Sequence, residues 1–504
     1  MILKIYKISR IIFFTIFSII SIYASQFYEG SILIFSCYCF FLLLTFFYLT
    51  NSKSSYFEIF FSSYLFLGFW FKYIFSLIFY NGTIFDSGQI KSSKIDEVLI
   101  LTILITFVCL ISSFINKKFI NTDVKKNEKR IKSLCENLYL NNRNIILFFF
   151  ILCISVVGFF NSKLGIYQRG FIYFSETSIY ISNLIKWLLV FGFTTFSCFV
   201  IHIEILYYKR INIFTLIIAF FEIFISYTSM LSRSFIINSI SLIFPIYQKS
   251  LFFKKAHDKK FIFLFIFIII LTLISLYVVN NIRLNKIYSM MDQQISNQKK
   301  QLNIESLKDL KINDYNFQIP KSESKLENLQ NRPNTTEKMI NFILVNRWIG
   351  IESLILVHSF EKKSFDLFFK SLSEDKNNFE NTFYEKTFNL ASEKKSIKIN
   401  QNYLKGNTLP GIISFLYYSG SIYFVLISLF ITIILCNSFE RLIKRTTQGN
   451  AIFACFLSNL IATRLIHFGY APKDTYLFVL SILLSILLMI FLLKFKFSYF
   501  SLQK

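Results

Sequence analysis

The chain has 504 residues, of which 54% are hydrophobic, and its 54 Lys and Arg against 29 Asp and Glu give a net charge of +25. In a soluble protein so large a positive charge would suggest a nucleic-acid partner. The apolar content and the placement of the charges indicate a membrane protein instead, and no nucleic-acid partner is expected.

Twelve apolar segments are long enough, or nearly so, to cross a bilayer core of ~30 Å. Because a segment in lipid must satisfy its backbone internally, each is predicted to be a helix. In chain order they are Ile11–Ala24, Ser31–Thr50, Phe57–Tyr80, Val98–Ile115, Ile145–Asn161, Ile181–Leu206, Ile211–Ser229, Phe235–Tyr247, Phe261–Val279, Gly411–Cys436, Ala451–His467 and Thr475–Leu493. The first ends on a possible signal cleavage site, but a second apolar segment follows closely, so we interpret it as uncleaved. The sequence therefore predicts an all-α polytopic membrane protein with about twelve transmembrane helices.

The basic residues predict the orientation of these helices. With a cytoplasmic N-terminus, the segments on the inner side carry 25 Lys and Arg, whereas the short outer loops carry six. Cytoplasmic segments of membrane proteins are enriched in Lys and Arg. We therefore expect a multi-pass membrane protein with both termini in the cytoplasm.

One polar loop interrupts the apolar pattern. It divides the chain into a membrane domain at 1–280 with helices one to nine, a loop at 281–410, and a membrane domain at 411–504 with helices ten to twelve. The topology places this large loop on the outer side of the membrane. Within it, Met339–Phe360 is apolar enough to be a thirteenth helix, but a span would reverse all later segments and would bury Arg347 and Glu352 in lipid. We expect a helix lying on the outer membrane surface.

Five arginines are predicted on the outer side, where topology does not require positive charge. Arginine binds phosphate well, because its planar fork of donors can make two parallel hydrogen bonds to one anion. Several arginines at the outer leaflet would suit a lipid-linked pyrophosphate, although each could instead be a solvated or snorkelling side chain. The candidates are Arg169, Arg233, Arg283, Arg347 and Arg464.

Candidate general bases are fewer. Glu352 lies in the apolar part of the loop helix, where desolvation favours a useful base. His358 lies further along the same segment, and His467 lies three residues after Arg464. Each could also be a packed polar residue without a catalytic role, and Trp348 is interpreted as an interfacial anchor. The sequence has no Gly-rich phosphate loop, no HExxH and no paired CxxC, so no metal or cofactor is expected.

Three short stretches resemble bacterial O-antigen polymerases: Thr228–Ser234, Arg347–Glu352, and Leu409–Ile413 with Tyr417–Ser421. The number of helices and the single large outer loop late in the chain also match that family. The resemblance therefore implies a place in the bacterial inner (plasma) membrane, with the large loop in the periplasm. The resemblance implies a metal-independent glycosyltransferase that joins oligosaccharide repeat units carried on undecaprenyl pyrophosphate. In it Glu352 or His358 would act as the base, and the arginines would bind the departing pyrophosphate. Membrane lipids, a chain-length regulator and a flippase are the other expected partners, and O-antigen or capsule is the expected product.

Two other classes stay open. An O-antigen ligase would use the same lipid donor with lipid A core as acceptor. A polysaccharide flippase or other transporter would also have about twelve helices, with charged residues inside the spans and two similar halves. This chain has Lys72, Lys186 and Glu222 inside its apolar segments but no internal repeat.

Overall fold

The computed structural model describes residues 2–51, 54–80, 92–120, 133–169, 178–208, 212–248, 263–283, 285–286, 345, 348–374, 383–384, 409–469 and 472–495. Within these ranges the regular structure is helical and contains no strand. The predicted all-α fold is therefore confirmed.

The helices are numbered here in chain order. They are α1 Ile2–Ala24, α2 Ile32–Leu49, α3 Tyr56–Tyr80, α4 Ser92–Ile120, α5 Leu134–Asn141, α6 Arg143–Leu164, α7 Tyr180–Tyr208, α8 Ile213–Ser229, α9 Phe235–Gln248, α10 Phe263–Arg283, α11 Ile351–Ser359, α12 Phe365–Leu372, α13 Gly411–Leu416, α14 Ile422–Thr446, α15 Ala451–Ile466 and α16 Thr475–Lys494.

Nine helices within the described ranges are long and apolar enough to cross a membrane. Three shorter apolar helices, α8, α9 and α15, fall where the sequence predicts the remaining segments. A multi-pass membrane protein is thus supported, while the number of twelve spans stays a prediction. Most of α3 and α7 is buried by protein, whereas only 22% of the apolar stretch of α6, of α14 and of α16 is buried, as expected for helices that face lipid.

Helix α15 lies at the centre of the bundle, because it packs against α3, α7, α9, α13 and α14. Two of its neighbours contain π-helical turns, Phe66–Phe71 in α3 and Leu188–Gly192 in α7. Such turns insert one residue into a helix and often occur at functional sites. Lys72 follows the first of them directly.

The end of the bundle that is predicted to be cytoplasmic is held by buried carboxylates. Glu58 closes a capping box with Ser55 at the start of α3, and it also accepts hydrogen bonds from Asn116 of α4 and Asn437 of α14, each at 2.9 Å. Glu440 accepts from the Phe57 backbone N–H at 2.8 Å. These bonds hold α3, α4 and α14 together at this end of the bundle.

The loop segment 281–410 contains two described helices. Ile351–Val357 of α11 are at most 3% exposed, because α4, α13 and the turn Tyr417–Ser419 cover them. This short helix is therefore enclosed by protein along most of its length. Residues 287–344, 346, 347, 375–382 and 385–408 lie outside the described ranges.

Candidate functional site

A strained turn presents Arg233 between α8 and α9. Ser232 N–H donates to the Tyr227 carbonyl at 2.8 Å and Leu231 N–H to the Thr228 carbonyl at 3.0 Å, the pattern of a Schellman cap. Glycine is favoured at the left-handed position of such a cap, but here Leu231 occupies it with a φ of 53°. A left-handed non-glycine residue costs about 1–2 kcal/mol. The buried Leu231 side chain offsets part of that cost and fixes the turn next to Arg233.

A buried asparagine attaches a second loop to this turn. Asn161 of α6 is fully buried, and its Nδ2 donates to the Tyr167 carbonyl at 3.1 Å and to the Ser229 carbonyl at 3.0 Å. The Arg169 backbone N–H also donates to the Met230 carbonyl at 2.9 Å. The loop after α6 therefore lies directly against the α8–α9 turn, and Arg169 comes next to Arg233.

Arg169, Arg233 and Arg283 meet at this point. Arg169 Nη1 donates to Ser232 Oγ at 3.3 Å, and Arg283 at the end of α10 donates to the Arg169 carbonyl. The positive charges of Arg233 and Arg169 both act on Arg283. Lys286 adds a fourth positive charge, since its Nζ bonds Gln168 Oε1 at 2.6 Å.

Arg464 joins the group from α15. Arg464 and Arg169 both interact with Tyr167. Lys186 lies over the Tyr167 ring, with its Nζ 5.2 Å from the ring centroid. Arg464 Nη2 also donates to Thr475 Oγ1 at 3.1 Å. We call Arg169, Arg233, Arg283 and Arg464 the arginine cluster. Four of the five arginines predicted from the sequence therefore come together, from four different parts of the chain.

The positive charge of the cluster is poorly balanced within the described part of the chain. No described carboxylate forms an ion pair with Arg169, Arg233 or Arg464, although Asp474 acts on Arg464 at longer range. The Nε atoms of Arg233 and Arg464 are buried and donate to no described acceptor. Burial lowers the pKa of Arg233, which reflects the cost of keeping this charge away from water. An anion with several acceptor oxygens would relieve that cost.

Glu352 is held by a lysine from another helix. Lys72 Nζ lies 2.6 Å from Glu352 Oε1 and 3.0 Å from the Trp348 carbonyl, and both side chains of the pair are nearly inaccessible. Gly68 of α3 and Gly350 touch through their backbones, since a Cβ on Gly350 would lie 2.2 Å from the Gly68 carbonyl oxygen. Glu352 thus anchors residues 348–352 to α3.

His358 contacts α4 and the turn Tyr417–Ser419 rather than α3. Its Nε2 lies 2.7 Å from Glu97 Oε2 of α4, and its Nδ1 lies 3.2 Å from the Tyr417 hydroxyl. Lys363 Nζ donates to the His358 carbonyl at 2.7 Å. Because the carboxylate accepts from Nε2–H, the Nδ1 atom is an acceptor, and the Tyr417 hydroxyl donates to it. The arrangement of Glu97 and His358 is that of an oriented base.

Buried polar contacts connect the two regions. Trp348 packs on the Tyr64 ring with centroids 6.4 Å apart, and Tyr64 Oη donates to Asn459 Oδ1 of α15 at 2.7 Å. Asn459 Nδ2 donates to Asn238 Oδ1 at 3.0 Å, and Asn238 Nδ2 donates to the Ser234 carbonyl at 3.0 Å. The Lys72–Glu352 pair is therefore linked through α15 to the turn that carries Arg233.

Two candidates from the sequence have different outcomes. Arg347 lies outside the described residues, so its role stays a prediction. His467 ends α15, where its Nδ1 lies 2.9 Å from the Thr463 carbonyl.

Sequence reasoning missed Asn161, Glu97 and Tyr167 as parts of the site. Only two signals for them are present in the sequence. Asn161 is an amide near the end of an apolar segment, and Glu97 is an acid at the start of one.

No protein-family model, curated protein or solved structure matches this chain.

Proposed function

We propose that the chain is a bacterial inner-membrane glycosyltransferase that polymerises oligosaccharide repeat units carried on undecaprenyl pyrophosphate, at the outer face of that membrane. The donor is the growing glycan on its lipid pyrophosphate, and the acceptor is a single lipid-linked unit. The product is a bacterial surface polysaccharide. A flippase supplies the units and a chain-length regulator is a further partner.

The arginine cluster is the observation that carries this proposal. A pyrophosphate leaving group gains negative charge as its bond to the sugar breaks, and preorganised donors that meet such charge usually make the largest single contribution to catalysis. Arg169, Arg233 and Arg464 supply donors without a described ion-pair partner, and two of their Nε atoms are buried without an acceptor. Positive side chains perform this role without a metal ion.

His358 is the better supported of the two candidate bases. The acceptor hydroxyl oxygen bonds to the anomeric carbon while the bond from that carbon to the pyrophosphate oxygen breaks. In this proposal the acceptor hydroxyl takes the place of the Tyr417 hydroxyl at His358 Nδ1 and gives its proton to that atom. Glu97, at 2.7 Å from Nε2, stabilises the resulting imidazolium. Glu352 is already paired with Lys72 at 2.6 Å, so we assign it the positioning of residues 348–352 rather than proton transfer.

A deletion strain tests the reaction. Loss of a polymerase should reduce the surface glycan from a ladder to one short band, because ligation of a single unit does not need polymerisation. Loss of a ligase would remove that band and leave bare core. Loss of a flippase would also remove it, with lipid-linked units accumulating on the cytoplasmic side. Disappearance of the single-unit band would therefore refute the proposal.

Complementation of that strain tests the site. Arg233→Ala should fail to restore the ladder at normal membrane expression, whereas Arg233→Lys should restore it in part, because lysine keeps the charge but loses the two-pronged geometry. The matched control is Arg441→Ala, which removes an arginine of α14 near the opposite end of the bundle and should leave the ladder unchanged. A full ladder with Arg233→Ala would remove Arg233 from the site.

A further inference from the structure

A stripe of small and polar residues runs along one face of α8. Its members are spaced by three or four residues, so they lie on one side of the helix. All of them are buried, although α8 is otherwise apolar. In order they are Thr215, Ala219, Glu222, Ser226 and Ser229. The proposed polymerase chemistry uses none of them except as support.

Glu222 lies in the middle of this stripe with an exposure of 0%. Its Oε1 accepts hydrogen bonds from Thr194 Oγ1 of α7 and from Ser226 Oγ, each at 3.2 Å. The Ser197 hydroxyl of α7 also acts on the carboxyl group. Glu222 Oε2 is buried and has no partner at hydrogen-bond distance among the described residues. This oxygen is therefore able to carry a proton.

No described cation balances this carboxyl group. Glu222 forms no ion pair within the described ranges. The titratable groups that interact with it are Cys198 of α7 and Tyr227 of α8, and both are normally uncharged at neutral pH. Neither α6 nor α9 presents a described charged side chain to it. An isolated buried carboxylate is so costly that the group takes up a cation or a proton instead.

Polar groups lead from Glu222 toward the end that is predicted to be cytoplasmic. A cavity of about 10 Å³, close to the space that one water molecule needs, is lined by Ser197, Thr215 and five apolar residues. The buried Ser197 hydroxyl lies between this cavity and the Glu222 carboxyl group, on which it acts. Beyond the cavity, Thr215 Oγ1 donates to Glu204 Oε1 at 2.7 Å, and Arg143 Nε binds the same oxygen at 2.8 Å.

Polar groups lead in the other direction to the arginine cluster. Ser229 Oγ donates to the Ser226 carbonyl at 2.9 Å, and Asn161 Nδ2 lies 3.3 Å from Ser229 Oγ. Asn161 also holds the loop that carries Arg169, as described above. A column of buried polar groups thus extends on both sides of Glu222, between α6, α7 and α8.

We propose that Glu222 is a proton-binding site inside the membrane, and that its proton exchanges with the cytoplasmic side through the cavity between Ser197 and Thr215. A proton needs only one carboxyl oxygen, which Oε2 provides. A sodium ion would compete for the same oxygen atoms, and the experiment below distinguishes it from a proton. The site is independent of the proposed polymerase reaction.

Infrared spectroscopy of the full chain in lipid vesicles tests this site. The wild type at neutral pH should show the C=O stretching band of a protonated carboxylic acid, and Glu222→Gln should lose it. Glu222→Asp should keep the band at a shifted frequency, which separates loss of the proton from loss of the fold. In D₂O, Ser197→Val should slow the hydrogen–deuterium exchange of the band by filling the cavity. The matched control is Ser112→Ala, because Ser112 of α4 is a buried serine that bonds only its own helix, and exchange should not change.

Three outcomes would overturn the proposal. The first is the absence of the band in the wild type, and the second is its persistence in Glu222→Gln. The third is loss of the band on addition of Na⁺ at constant pH, which would make the site a sodium site. The readout does not depend on glycan synthesis, so it cannot be confused with failure of the proposed polymerase activity.

Discussion

Breaking the buried ion pair between Lys72 and Glu352 should destabilise the protein severely. The two side chains are 2% and 4% exposed and their charged atoms are 2.6 Å apart. Lys72→Met leaves a buried carboxylate without its cation and removes the donor to the Trp348 carbonyl. Removing one partner of such a pair costs about 3–5 kcal/mol. Since total stabilities are typically about 5–15 kcal/mol, the loss is a large fraction of the whole.

Reversible unfolding of the purified chain in mixed detergent micelles measures this free energy. The double variant Lys72→Met/Glu352→Met replaces both charges by apolar groups of similar size, and it should recover most of the stability, because such replacements are often neutral or stabilising. The matched control is Lys370→Ala, which breaks an equally short ion pair with Asp366, at 2.7 Å, whose side chains are 75% and 72% exposed. Its effect should stay within about 1 kcal/mol.

Two results would refute this reasoning. One is a loss for Lys72→Met no larger than that of Lys370→Ala, which would mean that water reaches the pair. The other is a double variant that is no more stable than Lys72→Met, which would mean that the apolar pair does not pack between α3 and α11.

Further predictions concern the site. Arg233→Ala should lower turnover by about 10²–10³-fold, the usual effect of removing one preorganised donor, in an assay of lipid-linked glycan extension; an unchanged rate would contradict it. His358→Gln should lower kcat by about 10²–10⁴-fold, because it removes the base. Glu97→Gln should lower kcat by less and leave KM unchanged. Equal rates in the wild type and His358→Gln would exclude His358 as the base. Gly350→Ala should cost about 1–3 kcal/mol of stability, because its Cβ would meet the Gly68 carbonyl at 2.2 Å, and an unaltered unfolding curve would disprove that contact.

The positions of the apolar helices followed from the sequence because lipid imposes a simple rule on the backbone. Each of the twelve predicted segments overlaps an apolar helix within the described ranges. The predicted segment Gly411–Cys436 is divided in the structure into α13 and α14, which the sequence did not indicate. The π-helical turns in α3 and α7 did not follow from the sequence either. These turns depend on how neighbouring side chains pack. In the first turn, for example, Tyr38 Oη donates to the Phe69 carbonyl at 2.8 Å.

The members of the site were easier to predict than their arrangement. Arg169, Arg233, Arg283 and Arg464 stood out singly, because topology does not require positive charge where they lie. Their convergence depends on Asn161, which joins two loops, and on the packing of α15, and neither leaves a pattern in the sequence.

The pairing of Glu352 was equally hidden, because its partner lies on a distant helix. Lys72 stood out only as a charge inside an apolar segment. The loop helix was predicted at the membrane surface on composition alone. Its burial by α4 and α13 depends on contacts between segments far apart in the chain.

The most direct test of the central claim is extension of lipid-linked repeat units by the purified chain. We expect the full-length protein in lipid nanodiscs, supplied with undecaprenyl-pyrophosphate-linked units and a chelator of divalent metals, to produce a ladder of longer glycans and release undecaprenyl pyrophosphate. Arg233→Ala should produce no ladder under the same conditions. A wild-type protein that leaves the units unextended, or that extends them only when a divalent metal is added, would contradict the account.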